Sequence, residues 1–472
     1  MNKEPFVSID YKLLAMIVIV SGAILRILLY WANPPGNAFD DHFEPIIRIM
    51  ESGSIPAKDA CWQCYHPPIF YWVSAQIGNL AVYLGANPAH LFKILHLIPC
   101  LYGIATLAFI YLILNRLPLS DFSKIIALTT ACFLPRNIYM SAIHSNDSMS
   151  YLLVALSIYL LLVAIDREYP VKLLIAVGIS IAGAIFVKYT AFILFPVVLN
   201  LFFLAYFFSD KISGRSAVSR LIITLMIPFV VMCASSIANL KNYGTPLPWN
   251  INQVDPEDYQ YRDESPLDFV RFTPWESLKS PILKPGNMHH FWDVIHNGMW
   301  FDNEPRFLYF LDSDNSWWKK YYAWLRGEVE FPGDNKTLPL LTKIVGFGGI
   351  TLGLVPLILI LGGVLLHIKE EIWTFLGVRS IGRLKKSLFP VLLVGNVVGI
   401  IILALRLQVF SAMKASYLLP CLPASVFYIA MGVMRIEKNI LLKRAVVTCY
   451  GVIIVLVSLH VLHIYWTLRP IS

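Results

Sequence analysis

The 472-residue chain is 57% hydrophobic and only 14% charged, with a mean hydropathy of +0.63. A soluble domain carries about 25% charged residues, so a soluble enzyme and a disordered regulator are both excluded and a polytopic membrane protein remains. The net charge is +8, yet residues 241–340 hold 15 of the 30 acids and only 10 of the 38 bases. The excess of bases elsewhere reads as a topology signal, not as a nucleic-acid surface.

Apolar runs near 13–31, 91–114, 124–142, 148–165, 171–187, 189–208, 219–240, 341–366, 388–407, 416–434 and 445–466 predict about eleven transmembrane helices. The first, Tyr11–Trp31, is long enough to cross and has no cleavage site after it, so it reads as a span and not as a signal peptide. Pro67–Leu84 is a twelfth candidate. The loops 115–124, 166–172, 209–220, 367–387 and 435–444 together carry 16 Lys and Arg, against Lys188 and Lys414 in the intervening short loops. Those 16 fall on the side of the N-terminus only if Pro67–Leu84 lies in the membrane interface, and its Tyr71, Trp72, Ser74, Gln76 and Asn79 suit that place. The expected organisation is a module over 1–240 with a first outer loop at 32–90, an aromatic-rich outer loop over 241–340, and a second membrane module over 341–472. Seven of the 12 Trp lie in the long loop, beside the acidic stretch Asp255–Glu264, and predict a small folded unit. No internal repeat is evident.

Five of the seven cysteines fall within or at the ends of spans and read as small apolar residues. Cys61 and Cys64, in Cys-Trp-Gln-Cys-Tyr-His, allow a disulfide, free thiols, or zinc with His66 and an unidentified fourth ligand.

The first outer loop opens Gly36-Asn-Ala-Phe-Asp-Asp-His-Phe-Glu44 and continues through amphipathic Pro45–Gly53 to Tyr65-His-Pro-Pro-Ile-Phe-Tyr-Trp72. The plain reading of Asp40 and Asp41 is a solvated acidic turn. The topology gives them more weight, because Ser145-Asn-Asp-Ser148 brings Asp147 to the same membrane face. Lys188-Tyr-Thr-Ala joins two spans, and Lys414-Ala-Ser-Tyr-Leu-Leu-Pro-Cys-Leu-Pro opens a late one.

This ordered set resembles the GT-C superfamily of membrane glycosyltransferases. It is nearest the branch of the dolichyl-phosphate-mannose protein mannosyltransferases and the lipid A aminoarabinose transferase, over about residues 10–435. The resemblance implies an all-α membrane fold and transfer of a sugar from a polyprenyl-phosphate donor to a lipid, glycan or protein acceptor. It implies a site on the extracytoplasmic face, here of a bacterial inner membrane. Carried over residue by residue, it makes Asp40 the base or acceptor-positioning group, with Asp41 in second place and Asp147 as a further acid. The lipid A branch has Lys before the Pro-Pro pair, contacting donor phosphate. Here that residue is His66, and Lys58 is the replacement cation. No cofactor is implied, and a divalent cation stays open.

The chemistry fits the residues. A sugar hydroxyl needs a carboxylate to take its proton as it attacks, and a leaving lipid phosphate needs cations where its charge grows. Lys58, His66, Arg136, Lys188, Arg306 and Lys414 are the candidates for the second task. A single displacement would invert the anomeric carbon. Arg26 in the first span either orients the loop acids or pairs structurally, and Arg406 reads the same way. His289, His290 and His296 read as surface or acceptor-contact residues, the loop Trp residues as sugar platforms or boundary anchors, and Asn335-Lys-Thr337 as a glycosylation triplet. The rival function is a transporter or flippase for a lipid-linked sugar, which expects polar residues near the bilayer midplane. A non-catalytic scaffold is the third reading.

Overall fold

The computed structural model describes residues 10–37, 41–208, 214–248, 269–270, 273, 280–284, 290–303, 306–311, 316–325, 329–333, 339–374, 381–406 and 413–469, with backbone alone at 208, 322, 325, 371–374 and 406. Asp40, the acidic stretch 255–264, Trp249, Trp275, His289, the Asn335–Thr337 triplet and the Arg406 side chain lie outside the described residues.

Among the described residues the regular structure is all helix, and the protein is an integral membrane protein. Among the described residues, nine helical runs are long and apolar enough to cross a membrane: Tyr11–Ala32, Pro88–Asn115, Asp147–Asp166, Tyr189–Phe207, Gly214–Tyr243, Leu340–Glu370, Ile381–Leu405, Ala415–Ile436 and Ile440–Leu468. The two remaining expected spans are helical but shorter. One is Val171–Val187, with 17 residues. The other, 124–142, divides at Leu134 into α5 (Asp121–Phe133) and α6 (Pro135–Met140).

That division follows from Pro135. It has no N–H to offer the Ala131 carbonyl and restricts Leu134 to extended backbone, here φ −67° and ψ 113°. Side chains supply the missing donors. Arg26 of α1 (Tyr11–Ala32) donates to Cys132 O (3.0 Å), Ala131 O (3.4 Å) and its own Gly22 O (2.8 Å), and Asn137 Nδ2 donates to Ala131 O (3.0 Å). Arg26 is fully buried and its role is structural. The end of α1 is satisfied in the same way. Lys93 of α4 (Pro88–Asn115) donates to Tyr30 O (2.9 Å), Trp31 O (2.6 Å) and Asn33 O (3.0 Å), meeting carbonyls that a helix terminus leaves open.

Between α1 and α4 lie α2 (Phe43–Ser52) and α3 (Ile69–Tyr83). The 15 residues of α3 rise about 22 Å, short of a roughly 30 Å hydrocarbon core. Next come α7 (Asp147–Asp166), α8 (Val171–Val187), a 3-10 turn over Tyr189–Ile193, α9 (Leu194–Phe208) and α10 (Gly214–Tyr243). The long loop contributes α11 (Phe291–Trp300), α12 (Leu308–Leu311) and α13 (Ser316–Leu325). Trp318 and Tyr321 there are buried with Phe301 and Val345, and Trp300 joins the main core, so these aromatics pack the loop onto the bundle. The chain closes with α14 (Leu340–Leu352), α15 (Leu354–Thr374), α16 (Ile381–Lys386), α17 (Leu388–Arg406), a 3-10 turn over Ala415–Cys421, α18 (Leu422–Ile436) and α19 (Ile440–Leu468).

The C-terminal helices return to the N-terminal ones, α18 against α5 and α19 against α1, so the bundle is continuous. The closest crossing, α15 on α18, is built on reciprocal glycines. A Cβ at Gly363 would strike the Tyr428 backbone, and one at Gly432 the Leu359 backbone. Small residues allow this approach where packing, not the hydrophobic effect, holds helices together.

The two ends of the bundle separate cleanly. At the lower end the basic loops converge: Asp166 pairs with Arg116 (2.9 Å) and Lys385 (2.5 Å), Lys386 with Glu370 (2.7 Å), and Ser120 Oγ donates to Glu437 (2.6 Å). The upper end gathers the 33–68 and 141–146 loops, Lys188, Lys414 and α11.

Candidate active site

Asp147 opens α7, where a carboxylate suits the free N–H groups and the helix dipole. It is 3% exposed and accepts a hydrogen bond from Lys188 Nζ at 2.5 Å. Lys188 is 6% exposed and ends α8 in extended backbone, where the chain turns into Tyr189–Ile193. Its ammonium also lies over the Tyr417 ring, 5.0 Å from the centroid. Tyr151, one turn along from Asp147, donates to Ser416 O (2.8 Å), which fixes the Lys414–Tyr417 strip beside α7. Lys414 is 6% exposed on this strip.

The first loop meets this group through His66. Burial first, then the positive field of Lys188, His42, Lys58 and Lys414, holds the His66 imidazole well below its ordinary pKa, so it is neutral at pH 7. Its Nδ1 is buried without a hydrogen-bonding partner among the described residues. Lys58 Nζ donates to His66 O (2.7 Å), and the Lys58 backbone N–H donates to Tyr243 Oη (3.0 Å), tying the loop to α10. Burial brings the Lys58 ammonium down to about 8. A disulfide joins Cys61 and Cys64 just before His66, so these sulfurs are not thiolate ligands for zinc and the disulfide alternative stands.

Asp41 has a φ of 56°, left-handed backbone that Asp adopts more readily than most residues. It directly precedes His42 at the start of α2, and the His42 ring stacks on His66 at 5.8 Å. Asp41, Asp147, Lys188, Lys58, His66 and Lys414 are therefore gathered on one end of the bundle.

Arg136 and Arg306 are engaged elsewhere on that end. Arg136, fully buried, donates through Nε to Gly298 O (2.7 Å) and through Nη2 to Asn303 Oδ1 (3.0 Å). A Cβ at Gly298 would stand 3.1 Å from Arg136 Nη2, so glycine lets the guanidinium reach the α11 backbone. Arg306 donates its backbone N–H to Asp302 Oδ1 (3.0 Å), and its carbonyl accepts from Asn37 Nδ2 (3.4 Å). Asp302 also accepts from Phe307 N (2.7 Å) and Leu308 N (3.2 Å). Burial raises its carboxyl above the ordinary value, against the lowering effect of those N–H groups and Arg136. Of the loop histidines, His290 Nδ1 meets Asp293 Oδ2 (3.1 Å) and His296 Nε2 meets Ile350 O (2.8 Å).

Sequence reasoning passed over His42, Lys93, His144 and Asp302. His42 did stand inside the quoted motif, next to the acid pair. Lys93 and His144 act through backbone partners or rings far away in sequence, which no local spacing reveals, and Asp302 caps the nearby 306–308 backbone in a segment read only for its aromatics.

Residues 65–237 match the profile of the dolichyl-phosphate-mannose-protein mannosyltransferase family. The chain is similar in fold to an oligosaccharyltransferase of Archaeoglobus fulgidus in its apo form, at 12% identity and a TM-score of 0.51, covering 99% of this chain and 56% of that one. A structure of the archaeal enzyme with an inhibitory peptide and a dolichol-phosphate gives 13% identity, coverage of 97% and 55%, and a TM-score of 0.50. The chain thus spans a little over half the length of these relatives. The comparison with curated proteins yields no match. The profile match and the likeness in fold both agree with the resemblance carried by the motifs.

Proposed function

We propose that the protein is a glycosyltransferase that moves a sugar from a polyprenyl-phosphate donor to a lipid, glycan or protein acceptor at the extracytoplasmic face of a bacterial inner membrane. The observation that carries this reading is the burial of the Asp147–Lys188 pair beside Lys58, His66 and Lys414. A carboxylate and a cluster of cations are what acceptor and leaving group respectively require. Lys58 also lines a small recess between the first loop, α8 and α10, with Pro67, Pro68, Tyr189, Phe192 and Met232. Apolar walls beneath an ammonium suit a lipid phosphate.

In this mechanism the acceptor hydroxyl oxygen attacks the anomeric carbon as its proton passes to Asp40 or Asp41. The bond from that carbon to the phosphate oxygen breaks on the opposite face, which inverts the configuration. The charge gained by the departing polyprenyl phosphate is met by Lys58, Lys188 and Lys414. Asp147 holds Lys188 in place and helps position the acceptor.

The test is transfer by the purified protein in vesicles with a panel of polyprenyl-phosphate sugars and lipid, glycan and peptide acceptors, read by mass spectrometry. We expect Asp40→Asn to lower turnover by about 10²–10⁴, the usual worth of a general base, at unchanged membrane abundance, and Asp41→Asn to do less. Full activity in both variants would refute the mechanism. Movement of the donor across the vesicle without transfer would favour the transporter instead.

A further inference from the structure

The segments flanking the acid pair are held on both sides. Before it, Asn37 is 5% exposed; its Nδ2 donates to Asn33 Oδ1 (2.8 Å), and its carbonyl meets His96 Nε2 (3.3 Å). After it, His42 lies between two rings. It stacks on His66 (5.8 Å, 15°) and on Tyr71 (5.9 Å, 17°), and its Nδ1 meets Tyr71 Oη at 2.8 Å. The next residue, Phe43, lies flat against His144, with centroids 4.8 Å apart and planes 5° from parallel. Phe92 and His96 of α4 meet its ring edge-on, at 4.8 and 5.2 Å.

His144 belongs to the other acid's loop, three residues before Asp147. It is fully buried and anchored by Nδ1 to Leu95 O (2.8 Å). One ring contact thus joins the segment that carries Asp41 to the segment that carries Asp147. The ring contacts of His42 and Phe43 hold the two residues that directly follow Asp41.

We propose that Phe43 and His144 are positioning residues: their stacked rings set the spacing between Asp41 and the Asp147–Lys188 pair. Neither ring needs to touch a substrate. The proposal rests on the glycosyltransferase reading, in which both carboxylate sites serve one reaction. A flat contact between rigid rings fixes separation and orientation in a way that a flexible aliphatic contact does not, and misplacement of a reacting group by about 1 Å can cost roughly a hundredfold in rate.

The experiment compares Phe43→Leu, His144→Leu and His144→Phe for kcat, donor KM and folded abundance, with Asp40→Asn, Asp41→Asn and Asp147→Asn alongside. Both leucine variants put a branched apolar side chain in place of a flat ring and lose the stack, and His144→Leu also loses the bond to Leu95. We expect kcat to fall roughly 10- to 100-fold while donor KM stays within about twofold. His144→Phe keeps a flat ring, loses only the bond to Leu95, and should return kcat to near the native value. Unchanged kcat in the leucine variants would overturn the proposal, as would a loss in His144→Phe equal to that in His144→Leu. If Phe43→Leu does not fold, the two His144 variants decide. Full activity in all three Asp variants would sink the glycosyltransferase mechanism, and the spacer with it. Loss in the Asp variants with indifference to the rings would sink the spacer alone.

Discussion

The upper and lower ends of the bundle both gather charge, but they treat it differently. At the lower end Arg116 and Asp166 keep 34% and 25% of their side-chain surface, and Lys386 pairs with a half-exposed Glu370. Such pairs gain little because water competes for both partners. At the upper end Asp147 and Lys188 retain 4% and 8% of theirs, with neutral His66 and the ammonium of Lys414 beside them. Removing ions from water costs several kcal/mol each. The lower-end pairs keep more of their surface in water, Lys385 the least at 13%. The deeper burial of the upper pair marks where chemistry is to be sought.

The strongest way to break this contrast is Asp147→Asn. It leaves Lys188 buried without its carboxylate, a change that costs about 3–5 kcal/mol for such pairs. We expect transfer to become undetectable and the melting temperature in detergent to fall. Native turnover with native melting would reduce the pair to the status of the lower end.

A smaller effect concerns Lys58, held near 8 against an ordinary 10.5. Its folded value is depressed, so between these limits the unfolded chain binds more protons and stability rises with pH. Phosphate binding runs the other way, because the ammonium is lost above about 8. Donor affinity should fall roughly tenfold from about pH 7 to about pH 9, following the charged fraction, and Lys58→Arg should flatten the profile. A titration of donor affinity checks both, and a native profile without that fall removes Lys58 from the phosphate.

The smallest effect is expected at the lower end. Lys385→Ala should change stability by about 0–1 kcal/mol and leave kcat alone. A large loss there would erase the distinction between the ends.

How much of this was legible beforehand follows from range in sequence. The spans were readable because an apolar run is local, and every expected run contains helix where described. The break at Leu134 was written in Pro135, but the apolar run 124–142 hid it, because hydropathy does not register a missing N–H. The count of lysines by loop sorted the two ends correctly, since Arg116, Asp166 and Lys385 meet as that count requires. The gathering of Lys58, His66, Lys188 and Lys414 came from the ordered motifs. The partner of Arg26 was not readable: it bonds carbonyls about a hundred residues away, exposed by a helix break that had not been foreseen. The ring contact of Phe43 with His144 was equally silent, because neither residue belongs to a motif that pairs them.

Arg26 also bears on how the chain enters the membrane. The first span is made long before residues 131 and 132, whose carbonyls receive its guanidinium. Until α5 arrives, that span carries an arginine with only Gly22 O within its own helix to satisfy it, at a cost of about 2.5–3.5 kcal/mol on insertion scales. The surrounding hydropathy of 2.4 suffices to carry the helix in. Biogenesis thus begins with an incomplete helix and resolves it only when the fifth has been synthesised, so assembly of the N-terminal helices has an order set by one side chain.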